Sequence, residues 1–244
     1  MTGRRGDPGR TPTTYGGEMP TTTSNAPSRP LVTAFAAVLL LALLGLAGCG
    51  SDEQGAGPTS QDAGSSGERI SLVDEGDALR WGDGSYGVVL AHGAAFDAAS
   101  WQDQAVAIAE QGATVVAVED LTTEAMTTAV ERLREDGAEE VALVGGSAGA
   151  DAALRLLSEQ PDLVDRVVTL SANSVVEGLG EQPKLFIASE DESVAEVSEQ
   201  LAATAPGDDN EVLLLPGSDH AQHLFDGDQA DAALDALLRA LDPR

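Results

Sequence analysis

Side chains that can carry out nucleophilic chemistry follow three separate apolar runs of the chain. Ser147 comes shortly after the run at 141–144, and His220 comes shortly after the run at 212–215. Three acidic residues follow the run at 184–188, namely Glu190, Asp191 and Glu192. A serine hydroxyl needs a neighbouring base to attack at neutral pH, and a carboxylate holds a histidine base in the required tautomer. These are therefore the residue types that nucleophilic catalysis by a serine requires.

The serine lies in the sequence Gly-Gly-Ser-Ala-Gly at 145–149, between the apolar run and a helical pattern at 151–159. A strand, a sharp turn and a helix in this order predict a strained turn with the serine at its tip. A side chain at 145 or 149 would clash there. The turn would project the serine Oγ above the sheet and aim the backbone N–H of Ala148 at the group attacked. The alternative is an ordinary flexible turn, because the chain contains 27 glycines.

The elements that must position these residues alternate along the chain. Short β-like runs at 70–73 and 79–81 predict a hairpin. Six apolar strands are then predicted, at 86–91, 114–118, 141–144, 167–170, 184–188 and 212–215. Amphipathic helices divide them; in the first helix Ser100 is the expected N-cap and Gly112 the stop. This pattern predicts an α/β protein with a mostly parallel, doubly wound sheet, helices on both faces and an N-terminal hairpin.

Four segments carry a resemblance to the α/β-hydrolase family, at 88–93, 145–149, 183–192 and 215–220. The likeness spans roughly residues 68–244, and the four motifs occur in the family's order. It implies the α/β-hydrolase fold, with Ser147 as nucleophile and His220 as base. His92 stands where the family has the histidine of a His-Gly pair that shapes the oxyanion loop. His223 is interpreted as a loop residue.

The resemblance leaves the acid and part of the oxyanion hole open. The family's acid usually falls where Glu192 stands, but a one-residue shift of the loop would deliver Asp191 instead. The oxyanion hole would combine the N–H of Ala148 with an N–H from Ala94 or Ala95.

The chain also departs from the family pattern. A single helix joins the strands predicted at 114–118 and 141–144, and about a dozen residues separate Leu170 from the next strand. No cap domain is therefore expected. An uncapped site favours an accessible ester, with water as second substrate, but leaves the substrate undefined. The shortened loops also permit a protein that has lost catalytic activity.

The N-terminal segment predicts export. Residues 31–47 are apolar and uncharged, and Leu-Ala-Gly-Cys at 46–49 resembles a bacterial lipobox. The resemblance implies cleavage before Cys49 and attachment of lipid to it, which would place the protein in the cell envelope, outside the cytoplasm, as a membrane-anchored lipoprotein. A plain secretory signal or a retained anchor helix are the alternatives. We therefore divide the chain into an export signal (1–48), a lipid-attachment cysteine with flexible linker (49–67) and an α/β-hydrolase domain (68–244).

Charge narrows the possible partners. Acidic residues outnumber Lys and Arg by 41 to 13, which argues against nucleic-acid binding. No residue cluster has metal-ligand spacing, and no phosphate-binding loop occurs, so neither metal nor cofactor is predicted. The resulting hypothesis is a lipid-anchored serine hydrolase that acts on a small carboxylic ester. The alternatives are an inactive surface binding protein with the same fold, and a peptidase or thioesterase with the same triad. The oligomeric state stays open.

Overall fold

The computed structural model describes residues 66–72 and 76–243. The predicted export signal (1–48), Cys49 and the linker up to residue 65 lie outside the described residues, as do residues 73–75 of the predicted hairpin. Among the helices of the two described ranges, none combines the length and the apolar character needed to span a membrane.

The described residues form one eight-stranded sheet. Its strands, in chain order, are β1 (Glu68–Ser71), β2 (Asp77–Trp81), β3 (Tyr86–Ala91), β4 (Ala113–Val118), β5 (Val141–Gly146), β6 (Arg166–Leu170), β7 (Lys184–Ser189) and β8 (Asn210–Leu215). Their spatial order is β1-β2-β4-β3-β5-β6-β7-β8. The pairs β1–β2 and β2–β4 are antiparallel, and all later pairs are parallel. The predicted sheet and its N-terminal hairpin are therefore confirmed.

Helices cover both faces of the sheet. They are α1 (Gln102–Glu110), α2 (Thr123–Glu135), α3 (Ala148–Glu159), α4 (Ala195–Thr204) and α5 (Ala230–Leu241), with short 3₁₀ helices at Ala98–Trp101 and Ala221–Phe225. One hydrophobic core contains buried residues of α2, α3 and α4, such as Met126, Leu154 and Leu201. The other contains buried residues of α1 and α5, such as Ile108 and Leu237. The strands between these layers are apolar because both of their faces are buried.

One predicted helix start is wrong. Ser100 does not cap α1; instead, Asp97 precedes a 3₁₀ turn, and its Oδ1 accepts the N–H of Ser100 at 3.0 Å. The helical segment thus begins before the predicted cap, because an aspartate three residues earlier satisfies the first free N–H groups. The predicted stop is correct: Gly112 has φ +92°, a conformation that glycine adopts without strain.

The sheet topology brings the predicted site residues to one edge. The strand order reverses at β3, whose two neighbours are β4 and β5. In open α/β sheets, ligands bind beyond the carboxyl ends of the strands near such a switch point. The register pairs Ala91 with Gly145, Gly146 with Leu170, and Ser189 with Leu215. The loops that follow β3, β5, β6, β7 and β8 therefore leave the sheet side by side.

Tyr86, at the opposite end of β3, has a buried hydroxyl that no described residue hydrogen-bonds. Burial raises the pKa of this phenol above its ordinary value of 10.0; nearby Asp242 raises it further, while Arg166 opposes the shift. The folded chain therefore retains this proton at pH values where the unfolded chain has lost it. Stability from this difference is present below pH 10 and is lost as pH rises through the folded-state pKa.

At pH 7 we expect Tyr86→Phe to leave the free energy of unfolding unchanged or to raise it by up to about 1 kcal/mol, because the substitution removes a buried hydroxyl that has no hydrogen-bond partner. Between about pH 9 and 11 the wild type should lose stability faster than the variant. Urea unfolding of both proteins across this range measures the difference. Parallel loss of stability in the two proteins would contradict the prediction.

Candidate active site

Ser147 occupies the tip of a tight turn between β5 and α3. Its backbone has φ +50° and ψ −111°, a conformation that is strained for a residue other than glycine. Two hydrogen bonds hold it there: its N–H donates to the carbonyl of Leu170 at 2.8 Å, and its carbonyl accepts the N–H of Asp151 at 3.0 Å. The turn therefore presents the serine at the carboxyl edge of the sheet, as the sequence predicts.

The glycines on either side of the serine allow close packing of the backbone. A Cβ at position 145 would lie 2.6 Å from the carbonyl oxygen of Gly149. A Cβ at position 149 would overlap the carbonyl oxygens of Ala91 and His92. The first turn of α3 thus lies directly against the end of β3. Neither position can accept a side chain without moving the backbone.

His220 lies beside the serine, although 73 residues separate them in the chain. Its Nε2 is 2.9 Å from the Oγ of Ser147. Its Nδ1 is 2.6 Å from Oε2 of Glu192. The three side chains therefore form one continuous hydrogen-bonded chain in the order serine, histidine, carboxylate. The His220 side chain is 42% exposed, whereas the Glu192 side chain is only 5% exposed.

The Glu192 carboxylate has donors on both oxygens. Its Oε1 accepts the hydroxyl of Ser171 and the N–H of Ser189, each at 2.8 Å. Its Oε2 faces His220. Such hydrogen bonds fix the orientation of the carboxylate. The carboxylate is thus held where it can orient an imidazole and balance a positive charge on it.

The neighbouring acidic residues do not approach the histidine. The backbone N–H of Glu190 donates to the carbonyl of Leu215, and that of Asp191 donates to the carbonyl of Gly217, at 2.8 and 2.9 Å. Both residues are exposed. These two bonds attach the loop after β7 to the end of β8, so that the next residue, Glu192, points inward. Of the two acids that the resemblance left open, the structure brings Glu192 to His220 and leaves Asp191 at the surface.

Ser171 is a site residue that the sequence analysis missed. It follows β6, is fully buried and has φ +52°. Its hydroxyl donates to Glu192 and accepts the backbone N–H of Ala221 at 2.9 Å. One hydroxyl therefore links the acid to the residue that follows His220. A serine after a strand carries no sequence signal that would reveal this contact.

Two backbone segments can form an oxyanion hole. Ala148 is the first residue of α3, where a helix has N–H groups without intrahelical acceptors. The loop after β3 lies close by: a Cβ on Gly93 would be 3.6 Å from the Cβ of Ser147. Within the described ranges, the N–H groups of Ala94, Ala95 and Ala148 have no hydrogen-bond acceptor. For this role the sequence analysis predicts Ala148 together with Ala94 or Ala95.

The other two histidines lie outside the hydrogen-bonded chain of Ser147, His220 and Glu192. His92 is buried, and its Nδ1 and Nε2 lie 2.8 and 3.0 Å from the carbonyl oxygens of Gly93 and Glu119. It braces the loop after β3. His223 is exposed, and its Nδ1 lies 3.3 Å from Asp226. Its ring also packs edge-on against Phe96, with 5.1 Å between ring centroids.

A polar pair on the open side of the serine was also missed. Asp151, in the first turn of α3, accepts the backbone N–H of Asn173 at 2.9 Å and its side-chain amide at 3.0 Å. The same amide nitrogen lies 3.5 Å from the Oγ of Ser147. Asn173 belongs to the loop after β6, where the sequence shows no motif. It adds a fixed donor beside the nucleophile.

The described residues do not meet the requirements of a metal site. Among residues 66–72 and 76–243, no group of three or more His, Cys, Asp or Glu side chains is placed to hold a metal ion. The side chains of Ser147, His220 and Glu192 are placed for proton transfer from the serine to the histidine, with the carboxylate beside the imidazole.

Comparison with solved structures identifies the architecture. The chain is similar to a monoacylglycerol lipase from Paleococcus ferrophilus, with a TM-score of 0.58 and 14% identity over 68% of this chain and 97% of the lipase. It is also similar to a soluble variant of monoglyceride lipase from Saccharomyces cerevisiae, with a TM-score of 0.57 and 9% identity over 68% of this chain and 91% of that protein.

A third similar structure is the thioesterase domain from the curacin biosynthetic pathway, with a TM-score of 0.51 and 13% identity over 72% of this chain and 98% of the domain. No family model matches the chain, and no curated protein matches it. At these identities the likeness shows the fold alone. The chain has the α/β-hydrolase fold, as the resemblance of its motifs implies.

We expect Glu192→Gln to lower the rate at which Ser147 attacks an activated carbonyl by about 10³–10⁴-fold. The glutamine oxygen would accept the donors now bound to Oε1, so its NH₂ group would face Nδ1 of His220. The histidine would then carry its proton on Nε2 and could not accept one from Ser147. Steady-state kinetics on the folded variant measure the loss.

Asp191→Asn is the matched control, because it removes one carboxylate from the same loop without touching His220. Its activity should stay within about twofold of the wild type, as for a surface substitution. A large loss in Asp191→Asn together with an active Glu192→Gln would reverse the assignment of the acid.

Proposed function

We propose that this protein is a serine hydrolase that cleaves carboxylic esters through a covalent acyl-enzyme. The observation that carries the proposal is the unbroken hydrogen-bonded chain from Ser147 through His220 to Glu192, with distances of 2.9 and 2.6 Å. A serine next to a base that is itself oriented by a third group is the arrangement of an activated nucleophile. The similarity in fold to two lipases is consistent with it.

In the proposed reaction, the Oγ of Ser147 attacks the ester carbonyl while Nε2 of His220 takes its proton. The oxyanion that forms would accept N–H groups from Ala148 and from Ala94 or Ala95. His220 then gives its proton to the departing alkoxide, which leaves as the alcohol. Water, deprotonated by the same histidine, attacks the acyl-serine. His220 then returns that proton to the Oγ of Ser147 as the C–Oγ bond breaks and the acid is released. Glu192 balances the positive charge on His220 during both acylation and deacylation.

An open site favours a small, accessible ester. The loop at 171–183, between β6 and β7, contains neither helix nor strand, so no cap covers the serine from this segment. The shallow site leaves water free to reach an acyl-enzyme. The same machinery could cleave a thioester, and the similarity in fold to a thioesterase domain gives that alternative equal structural support. Kinetics on matched ester and thioester substrates distinguish the two.

We expect the purified protein to react with a fluorophosphonate probe, because an activated serine displaces the fluoride and becomes phosphonylated. Labelling should disappear in Ser147→Ala and fall at least about 10³-fold in rate in His220→Ala, since removal of either member disables the pair. Gel fluorescence measures the labelling, and circular dichroism verifies folding.

Two matched substitutions serve as controls. Ser158→Ala removes a half-buried serine of α3, and His223→Ala removes the exposed histidine near the site. Both should label at near wild-type rates. A folded wild-type protein that does not label would favour the alternative of a non-catalytic surface protein, and binding partners would then be sought.

We also propose that the hydrolase domain is exported and held at a membrane by lipid on Cys49. The support is the apolar segment at 31–47, whose last two residues begin the sequence Leu-Ala-Gly-Cys at 46–49. Between Cys49 and the domain lies a segment composed mainly of Gly, Ser, Asp and Gln. Lipoprotein processing attaches two or more acyl chains, which suffices for stable anchoring where one chain is marginal.

In a bacterial host, Cys49→Ser should move the protein out of the membrane fraction or leave its signal uncleaved, and should abolish incorporation of a labelled fatty acid. The substitution removes the only thiol of the chain, so no other cysteine can replace it. Ser51→Ala, two residues away, is the control and should stay lipidated. Equal fatty-acid labelling of Cys49→Ser and wild type would contradict the proposal.

A further inference from the structure

Gln222 connects three loops of the candidate site. It lies two residues after His220 in the second 3₁₀ helix and is 4% exposed. Its Oε1 accepts the backbone N–H of Gly93 at 2.7 Å. A Cβ on Gly146, just before the nucleophile, would lie 3.1 Å from the same oxygen. One amide therefore touches the loop after β3, the serine turn and the loop that carries the histidine.

The nitrogen of the Gln222 amide bonds to Ser100, which lies beyond the other end of the loop after β3. This Nε2 donates to the hydroxyl of Ser100 at 2.6 Å, and that hydroxyl donates to the carbonyl of Asp97 at 2.5 Å. The Gly93 N–H can only donate, so the glutamine oxygen must face it and the glutamine nitrogen must face Ser100. The hydrogen bonds therefore determine a single orientation of the amide.

The segment at 93–97 needs such support. Ala94, Ala95 and Asp97 are exposed, so little packing holds this part of the loop. An oxyanion hole requires its donors to be positioned within about 0.5 Å of the productive geometry. A bond from Gly93 to a buried side chain fixes the residue next to Ala94 without occupying the N–H groups of Ala94 or Ala95.

We propose that Gln222 is a positioning residue for the oxyanion hole: by bonding Gly93 and Ser100 at the two ends of the loop after β3, it fixes the loop's free N–H groups against the nucleophile. This inference rests on the proposed serine hydrolase function. Gln222 itself does not touch the reacting atoms, and it does not bond Ser147, His220 or Glu192.

The first test is Gln222→Met, which keeps the volume of the side chain and removes both hydrogen bonds. Two amides of the segment at 93–97 are hydrogen-bonded: the N–H of Gly93 to Gln222, and the N–H of Phe96 to the carbonyl of Gly93. We expect hydrogen exchange at these two amides to accelerate on the order of tenfold, as the loss of a buried hydrogen bond allows. Exchange in α3 should not change. This readout needs no activity, so it tests the loop's support even if the wild type hydrolyses no ester and the proposed function fails.

The second test separates positioning of the oxyanion hole from a general structural role. Gln222→Met should lower kcat for an ester by about 10²-fold, as a misplacement of about 1 Å can do, with KM within about threefold. A matched thionoester, whose sulfur accepts hydrogen bonds weakly, should lose much less. The pH profile should be unchanged, because His220 and Glu192 keep their contacts.

Gln160→Met is the matched control, since it makes the same change at the exposed end of α3. If Gln222→Met does not fold, Ser100→Ala is used. This substitution keeps the bond between Gln222 and Gly93 and removes the bond between Gln222 and Ser100. It should change amide exchange and kcat in the same direction as Gln222→Met, but by less. Unchanged exchange at 93–97, or equal losses on ester and thionoester, would overturn the proposal.

Discussion

Backbone strain at the carboxyl edge of the sheet is the constraint on which the site depends. Among the described residues, Ser147, Ser171 and Ala221 are the non-glycine residues with positive φ, and all three belong to the site. Each such conformation costs about 1–3 kcal/mol and persists only where its surroundings hold it. Here the N–H groups of the two serines bond to the strand ends at Leu170 and Ile187, and that of Ala221 bonds to the Ser171 hydroxyl. The regular ladder of the parallel sheet therefore supplies the stability that the strained turns use.

The second constraint is the cost of leaving a buried polar group without a hydrogen-bond partner. Ser171 and Gln222 avoid this cost in the same way. Each accepts a backbone N–H and donates to another group, so that each joins two loops that are distant in the chain. In a site without a cap, rigidity cannot come from elements packed above it. The buried hydrogen bonds of Ser171 and Gln222 hold the loops from below instead.

The sequence allowed prediction of most of the fold, because its strands are continuous apolar runs with both faces buried and its helices have a clear apolar face. The position of each candidate side chain at a strand end followed from that pattern. The choice between Asp191 and Glu192 could not be made from it, since it depends on where the N–H groups of Glu190 and Asp191 find acceptors on a neighbouring loop. The N-cap at Ser100 was predicted wrongly because both Asp97 and Ser100 are acceptable caps, and the 3₁₀ turn selects the former.

Ser171, Asn173 and Gln222 were missed for a common reason: each acts through contacts with residues far away in the chain, and none lies in a recognisable motif. Gln222 reaches Gly93 across 129 positions and Ser100 across 122. Such contacts arise only because β3 is central and the last loop returns over it. The same topology explains why the loop after β3 is held by the loop that carries His220. Both loops leave the sheet at the edge where the strand order reverses, so one buried amide can fix their relative positions.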